Sequence, residues 1–406
     1  MKKYLSVLIC MFCCTCTMGH AHPSGPVLMV VGTRPEMIKM IPVYRALKKA
    51  GLPVFLCSTG QHADLLEDLF VLFAVRPDRD LKVMKPAQDL AYLTEAVLNK
   101  THALFQEIQP RVVIVQGDTA TAFASALSAF YLKIPVAHVE AGLRSGNLQK
   151  PFPEEMNRRA ISLLTSVHFP PTQQSYQQLI TEGVEATTIH RTGNTVVDAL
   201  YSVRDQLHQG LLAPNQELVQ FVQESRKQGF KLLLLTAHRR ESFHGGIESI
   251  FDALKQAMEK DPKLAVIYPA HPNPVIQTAI REKELSKLPR MQILKPLPYQ
   301  DLVYLLNTVD GVATDSGGIQ EEAMSLGKRV VVLRGETDRP EGLEEGLARL
   351  TGSSETAILE GIDWIFSSDP SSDHAASSLF GDGKAGERIA AIIKERYFSQ
   401  STTDSN

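Results

Sequence analysis

Three carboxylates stand directly behind apolar runs in the first half of the chain: Asp118 in VQGDTATAF, Glu140 in HVEAGLRSG and Glu154 in PFPEEMNRR. A carboxyl group at such an edge can act as a general acid or base, because partial burial and a neighbouring carboxylate both raise its pKa toward neutrality. Two of the three also have an ordinary use to weigh. Asp118 could cap the helix that follows it, and Glu154 and Glu155 sit where acids favour a helix dipole. We assign that ordinary use to Glu155. Glu140 has no such use, since Ala-Gly follows it and no helical pattern begins there. In the second half, His238 ends a comparable run in LLTAHRRESF with Arg239 and Arg240 beside it, a grouping suited to facing a leaving diphosphate.

Three other stretches have the chemistry of anion binding. In ATDSGGIQEEAMSLGK a strand ends at Thr314 and turns through Ser316, Gly317 and Gly318 into a helix expected to begin near Ile319. Backbone N–H groups at a helix N-terminus attract phosphate, and glycines let it approach closely. Glu321 and Glu322 are expected in the first turn, Glu321 as a dipole acid and Glu322 as an acceptor for two neighbouring ribose hydroxyls. GTRPEMIKM repeats the design, placing Arg34 and Lys39 after a strand with Pro35 as a helix-start signal. RGETDRPEG adds Arg339 at a third strand end. Together these predict a cleft between two sheets with phosphate-binding ends on both sides.

The elements that position these residues follow from the alternation of short β-branched runs with helical patterns, which predicts βαβ units and parallel sheets. PVLMVVG, PVFLCST, RVVIVQGD and IPVAHVE read as strands of a first sheet, and KLLLLTAHR, LAVIYPAH, MQILKP, GVATDSG and RVVVLRG as strands of a second. Their interiors are almost wholly apolar, as expected for strands covered on both faces. The predicted fold is α/β, two Rossmann-like doubly wound domains facing each other across a cleft. We expect a leader over residues 1–25, an N-terminal domain over 26–200, a C-terminal domain over 201–378, and a final helix and tail over 379–406 returning toward the N-terminal domain. The stretch SSDPSSDHAASS reads as a loop before that helix. Gly381, Gly383 and Gly386 match G-x-G-x-x-G, but they follow this loop with no room for a dinucleotide unit.

Composition excludes several classes. With 406 residues, 44% hydrophobic and 21% charged, the chain is globular, and its net charge of -3 gives no general attraction for nucleic acid or anionic membranes. Four of the five cysteines (Cys10, Cys13, Cys14, Cys16) fall in the leader, leaving Cys57 alone in the globular part, which suits a reducing, cytoplasmic setting. The leader itself has two readings. Lys2 and Lys3, the apolar run to Met18 and Gly19-His20-Ala21 resemble a secretory signal; alternatively Met18 is the true start. No later segment is long and apolar enough to span a bilayer. Beyond the leader there is no metal-binding pattern, and no P-loop or nucleophile elbow occurs.

The combination of VVGTRPEMIKM, VQGDTATAFASALSAFYLKIPVAHVEAGLRSG, PFPEEMNRR, TGNTVVDAL, TAHRRESF and ATDSGGIQEEAMSLGK, in this order from about Val27 to the final helix, resembles the non-hydrolysing UDP-N-acetylglucosamine 2-epimerases. The resemblance implies a GT-B-like fold, a homodimer, and interconversion of UDP-N-acetylglucosamine and UDP-N-acetylmannosamine by UDP elimination and re-addition, without a cofactor or metal, supplying surface polysaccharide synthesis. It implies Asp118, Glu140, Glu154 and His238 as catalytic. Arg34, Lys39, Arg158, Ser316, Gly317, Gly318, Glu322 and Arg339 would bind UDP-sugar, with Leu297 and Leu302 lining the uracil pocket. Leu302 stands where relatives often have Phe. Gln61 and His62 match part of a regulatory site, but Ala63 and Asp64 depart from it, so activation by a second substrate molecule is not expected. The alternatives are a 2-epimerase for a 2,3-diacetamido uronate and a GT-B glycosyltransferase, which would not need the three acids.

Overall fold

The computed structural model describes residues 24–61, 63–85, 88–237, 246–367 and 378–399. Leader residues 1–23, His62, His238 to Arg240, nearly all of the SSDPSSDHAASS loop and the tail from residue 400 lie outside these residues. Among the described residues, twelve strands form two parallel sheets. The first runs β1 (Val27–Val31), β2 (Val54–Ser58), β3 (Arg79–Asp80), β4 (Val112–Gln116), β5 (Val136–Val139) and β6 (Val167–Phe169), in the spatial order β3-β2-β1-β4-β5-β6. The second runs β7 (Lys231–Thr236), β8 (Leu264–Pro269), β9 (Met291–Leu294), β10 (Gly311–Thr314), β11 (Arg329–Val332) and β12 (Ala348–Leu350), in the order β12-β11-β10-β7-β8-β9. Counted from its own first strand, each sheet has the order 3-2-1-4-5-6. Such a sheet opens a crevice where the order reverses, between β1 and β4 in one and between β7 and β10 in the other.

All nine strands read from apolar runs are present. The three additions, β3, β6 and β12, are two or three residues long and lie at sheet edges, where little or no apolar run marks them. Central strands are sealed on both faces. Val27, Met29 and Val31 pack one way, and Leu28 and Val30 pack the other, against Leu104, Phe105, Ala122 and Ala126. The first face belongs to an apolar cluster that continues through Val196, Leu200 and Val203 of the Thr195–His208 helix to Leu232, Leu234 and Val312 of the second sheet. The two lobes therefore share a core.

The Ala385–Phe398 helix packs on the Arg34–Lys49 helix of the first lobe, and this explains the glycine pattern there. A Cβ on Gly386 would lie 2.8 Å from the Pro42 carbonyl, and Gly383 has φ +79°. The glycines serve close packing and a turn. The segments Gly193-Asn194 and Phe380-Gly381 meet, with the Asn194 N–H donating to the Phe380 carbonyl at 2.6 Å. Among the described residues no helix is long and apolar enough to cross a membrane.

Candidate active site

A cavity of about 440 Å³ lies at the carboxyl ends of both sheets. The first lobe contributes Arg34, Lys39, Asp118, Glu140, Glu154 and Arg158 to its wall; the second contributes Leu297, Leu302, Ser316, Gly317, Gly318, Glu322 and Arg339. Every described residue read from sequence as catalytic or substrate-binding thus lines one space. His238 lies outside the described residues, but Ala237, which precedes it, lines the same wall.

The acids are held by cations from both lobes. Lys39 Nζ donates to both Glu140 oxygens at 2.6 Å and lies 3.7 Å from Glu321. Arg339 crosses from the second lobe, donating from Nε to Glu321 at 2.9 Å and from Nη2 to Glu140 at 3.4 Å. Gln116 Nε2 donates to the other Glu140 oxygen. Arg158 bridges Asp118 and, at 3.2 Å, Asp338 of the second lobe. Asp338 also meets Arg339 at 2.6 Å and Arg334 at 3.4 Å. Burial would push the Asp338 carboxyl up, but Arg339, Arg158 and Arg334 outweigh it and hold it well below the usual carboxylate range. Burial likewise pulls Lys39 down, and Glu140 and Glu321 more than offset it. Buried pairs of this kind add little net stability, yet removing one partner strands a charge and is strongly destabilising.

Local backbone explains how the acids are presented. Glu140 has φ +66°, a left-handed conformation that costs a non-glycine side chain about 1 kcal/mol or more and that turns it off the end of β5. Asp118 does not cap the next helix. Thr119 does so, accepting from the Ala122 N–H at 3.0 Å and donating to Glu36 at 2.7 Å, which leaves the Asp118 side chain for Arg158. Glu155 is more than a dipole acid: fully buried, it accepts from the Ser145 N–H and from Arg159, both at 3.0 Å.

The Ser316 turn is built differently. The helix begins at Gly317, earlier than expected, with Ser316 at the N-cap making no side-chain cap bond. A Cβ on Gly317 would lie 2.6 Å from the Arg339 guanidinium carbon, whereas one on Gly318 would meet nothing within 4 Å. Glu321 and Glu322 consequently lie past the first turn, and Glu321 is a buried ion-pair partner, not a dipole acid. Burial raises the Glu322 carboxyl to about 7. Arg34 reaches across the cavity and donates to the Leu297 carbonyl at 2.8 Å.

Sequence reasoning passed over Glu36, Gln116, His271, Tyr299 and Asp338, all of which line the cavity. Glu36 had a local signal, because Thr33 and Glu36 form a capping box. Its carboxylate accepts from the Gly32 and Thr33 N–H groups and from Thr119, tying the β1 and β4 ends together.

Two doubly wound lobes closing on a cavity with an uncapped glycine turn on one side and carboxylates on the other define a GT-B-like enzyme of the nucleotide-sugar kind. The model of the UDP-N-acetylglucosamine 2-epimerase family matches residues 45–394. A probable UDP-N-acetylglucosamine 2-epimerase of Ralstonia solanacearum is 41% identical over 378 residues, 92% of this chain and 99% of that protein. The UDP-N-acetylglucosamine 2-epimerase of Escherichia coli K12 is 40% identical, over 92% and 99% of the two chains. Among solved structures, the Neisseria meningitidis UDP-GlcNAc 2-epimerase bound to UDP-GlcNAc superposes with a TM-score of 0.84 at 37% identity, covering 91% of this chain and all of that one. The Methanocaldococcus jannaschii enzyme in complex with UDP-GlcNAc and UDP does so at 0.79 and 30%, over 91% and 99%. This chain belongs to the UDP-N-acetylglucosamine 2-epimerase family and is an isomerase.

Proposed function

We propose that the protein interconverts UDP-N-acetylglucosamine and UDP-N-acetylmannosamine by inverting C2. The observation that carries this reading is the shared cavity: Asp118, Glu140 and Glu154 line it together with the Ser316-Gly317-Gly318 turn. The C2 proton of the sugar has no adjacent carbonyl to acidify it, so direct abstraction would be slow. Elimination answers the difficulty. The C1–O bond to UDP breaks with its electron pair leaving on the diphosphate, positive charge at C1 acidifies C2–H, and a carboxylate takes that proton to leave a 2-acetamidoglucal. A carboxyl group on the opposite face then protonates C2 as a UDP oxygen adds back to C1. The cycle is redox-neutral and needs no cofactor.

In this reading the acid-base groups come from Asp118, Glu140 and Glu154. The diphosphate sits on the Ser316 turn with Arg339 nearby, His238 is the histidine that assists its departure, Lys39 and Arg158 hold the acids in register, and Glu322 takes the ribose. Leu297 and Leu302 flank the base. In the same reading the chain divides into domains 26–200 and 201–378, and the enzyme works in the cytoplasm as a homodimer. Turnover in deuterated water tests the chemistry: the product should carry deuterium at C2, and protium retained through many turnovers would reject elimination. Parallel assays with a UDP-2,3-diacetamido uronate test the sugar.

A further inference from the structure

Tyr299 opens the Tyr299–Thr308 helix and is 1% exposed. Its hydroxyl donates to Glu322 Oε1 at 2.7 Å, while among the described residues Oε2 of the same carboxyl makes no hydrogen bond. The ring is also packed across the lobes. It packs against Phe73 of the first lobe, with centroids 6.2 Å apart, and Arg45 holds Phe73 by donating to its carbonyl at 2.9 Å. The Arg34 bond to the Leu297 carbonyl pins the segment that leads into Tyr299. Tyr299, Glu322 and Leu297 all face the cavity.

We propose that Tyr299 is a positioning residue that sets a preference for ribonucleotides, by occupying one Glu322 oxygen and leaving the other to accept from the ribose hydroxyls. The proposal rests on the UDP reading above and adds the group that makes Glu322 selective. An ionised carboxylate accepts only, whereas a protonated one must donate. A phenol donating to Oε1 favours the accepting form. Lys39 and Arg34 favour it too, Glu321 opposes it, and burial opposes it most. The competing account makes Tyr299 a packing partner for Phe73 and nothing else.

Tyr299→Phe keeps the ring and removes the hydroxyl. Calorimetry with UDP and 2′-deoxy-UDP, together with steady-state kinetics, separates the accounts. The native protein is expected to favour UDP by about 10-fold or more, the worth of a buried hydroxyl contact. In Tyr299→Phe, UDP should weaken by roughly 5- to 20-fold with 2′-deoxy-UDP almost unchanged, so that discrimination collapses to about 2-fold, and KM should rise with kcat nearly constant. The acid limb of the UDP affinity profile should also move to higher pH, because the carboxyl loses a donor that favours ionisation. Unchanged discrimination in the variant, or equal losses for both ligands, would overturn the proposal, as would native protein that binds the two ligands equally. Native protein that binds neither would sink the UDP reading itself, a distinct result.

Discussion

The turns after β4 and β10 occupy the same place in their sheets, each closing one side of the crevice where strand order reverses, yet they are finished in opposite ways. After β4, Thr119 caps the helix with its own side chain, so one backbone donor is already occupied and Asp118 is displayed. After β10, Ser316 makes no cap bond and two glycines follow, so the backbone itself is displayed. A capped turn offers a side chain to the ligand; an uncapped turn offers N–H groups and the helix dipole. One fold, used twice, thereby displays a side chain on one wall and bare backbone on the other, the division of labour on which the proposed function draws.

Substitutions at the two turns should separate these tasks. The largest effect is expected from Asp118→Asn, which keeps the Thr119 cap and removes the acid. Turnover should fall by about 1,000-fold, in the range of lost acid-base catalysis, with UDP affinity nearly unchanged in calorimetry. Near-normal turnover would remove Asp118 from the chemistry. Next comes Gly318→Ala. The added methyl meets only open space and a helix favours Ala over Gly, so the melting temperature of the unliganded protein should hold or rise. UDP should nevertheless bind roughly 10-fold more weakly, as backbone approach is blocked. If affinity survives, the β10 turn is not the anion seat. Thr119→Ala should do the reverse, lowering stability by about 1 kcal/mol through the lost cap while leaving UDP affinity intact.

The smallest effect is a pH dependence. The Glu322 carboxyl titrates at about 7 in the folded protein against an ordinary value of 4.5. Between those values the folded state keeps a proton that the unfolded chain has lost, so the stability of the unliganded protein should decline as pH rises from 4.5 to about 7. Glu322→Gln should flatten that part of the melting-temperature profile; superimposable profiles would show that the group does not titrate there.

The features legible in sequence were those whose signal is local. Apolar runs marked the central strands, and glycines or charges directly behind them marked Asp118, Glu140, Arg34 and the Ser316 turn. What escaped depends on partners far away in the chain. Glu321 looked like an acid favouring its own helix, but its role comes from Lys39 and Arg339, brought together only when the lobes meet. Asp338 was passed over beside Arg339 for the same reason, since Arg158 in the other lobe gives it its place. Tyr299 was passed over because nothing nearby in sequence indicates Glu322 as its acceptor.

The segments at Gly193-Asn194 and Phe380-Gly381 are stitched to each other by a backbone hydrogen bond. Beyond that stitch the last described helix lies along the helix that carries Arg34 and Lys39, so the far end of the chain buttresses its beginning.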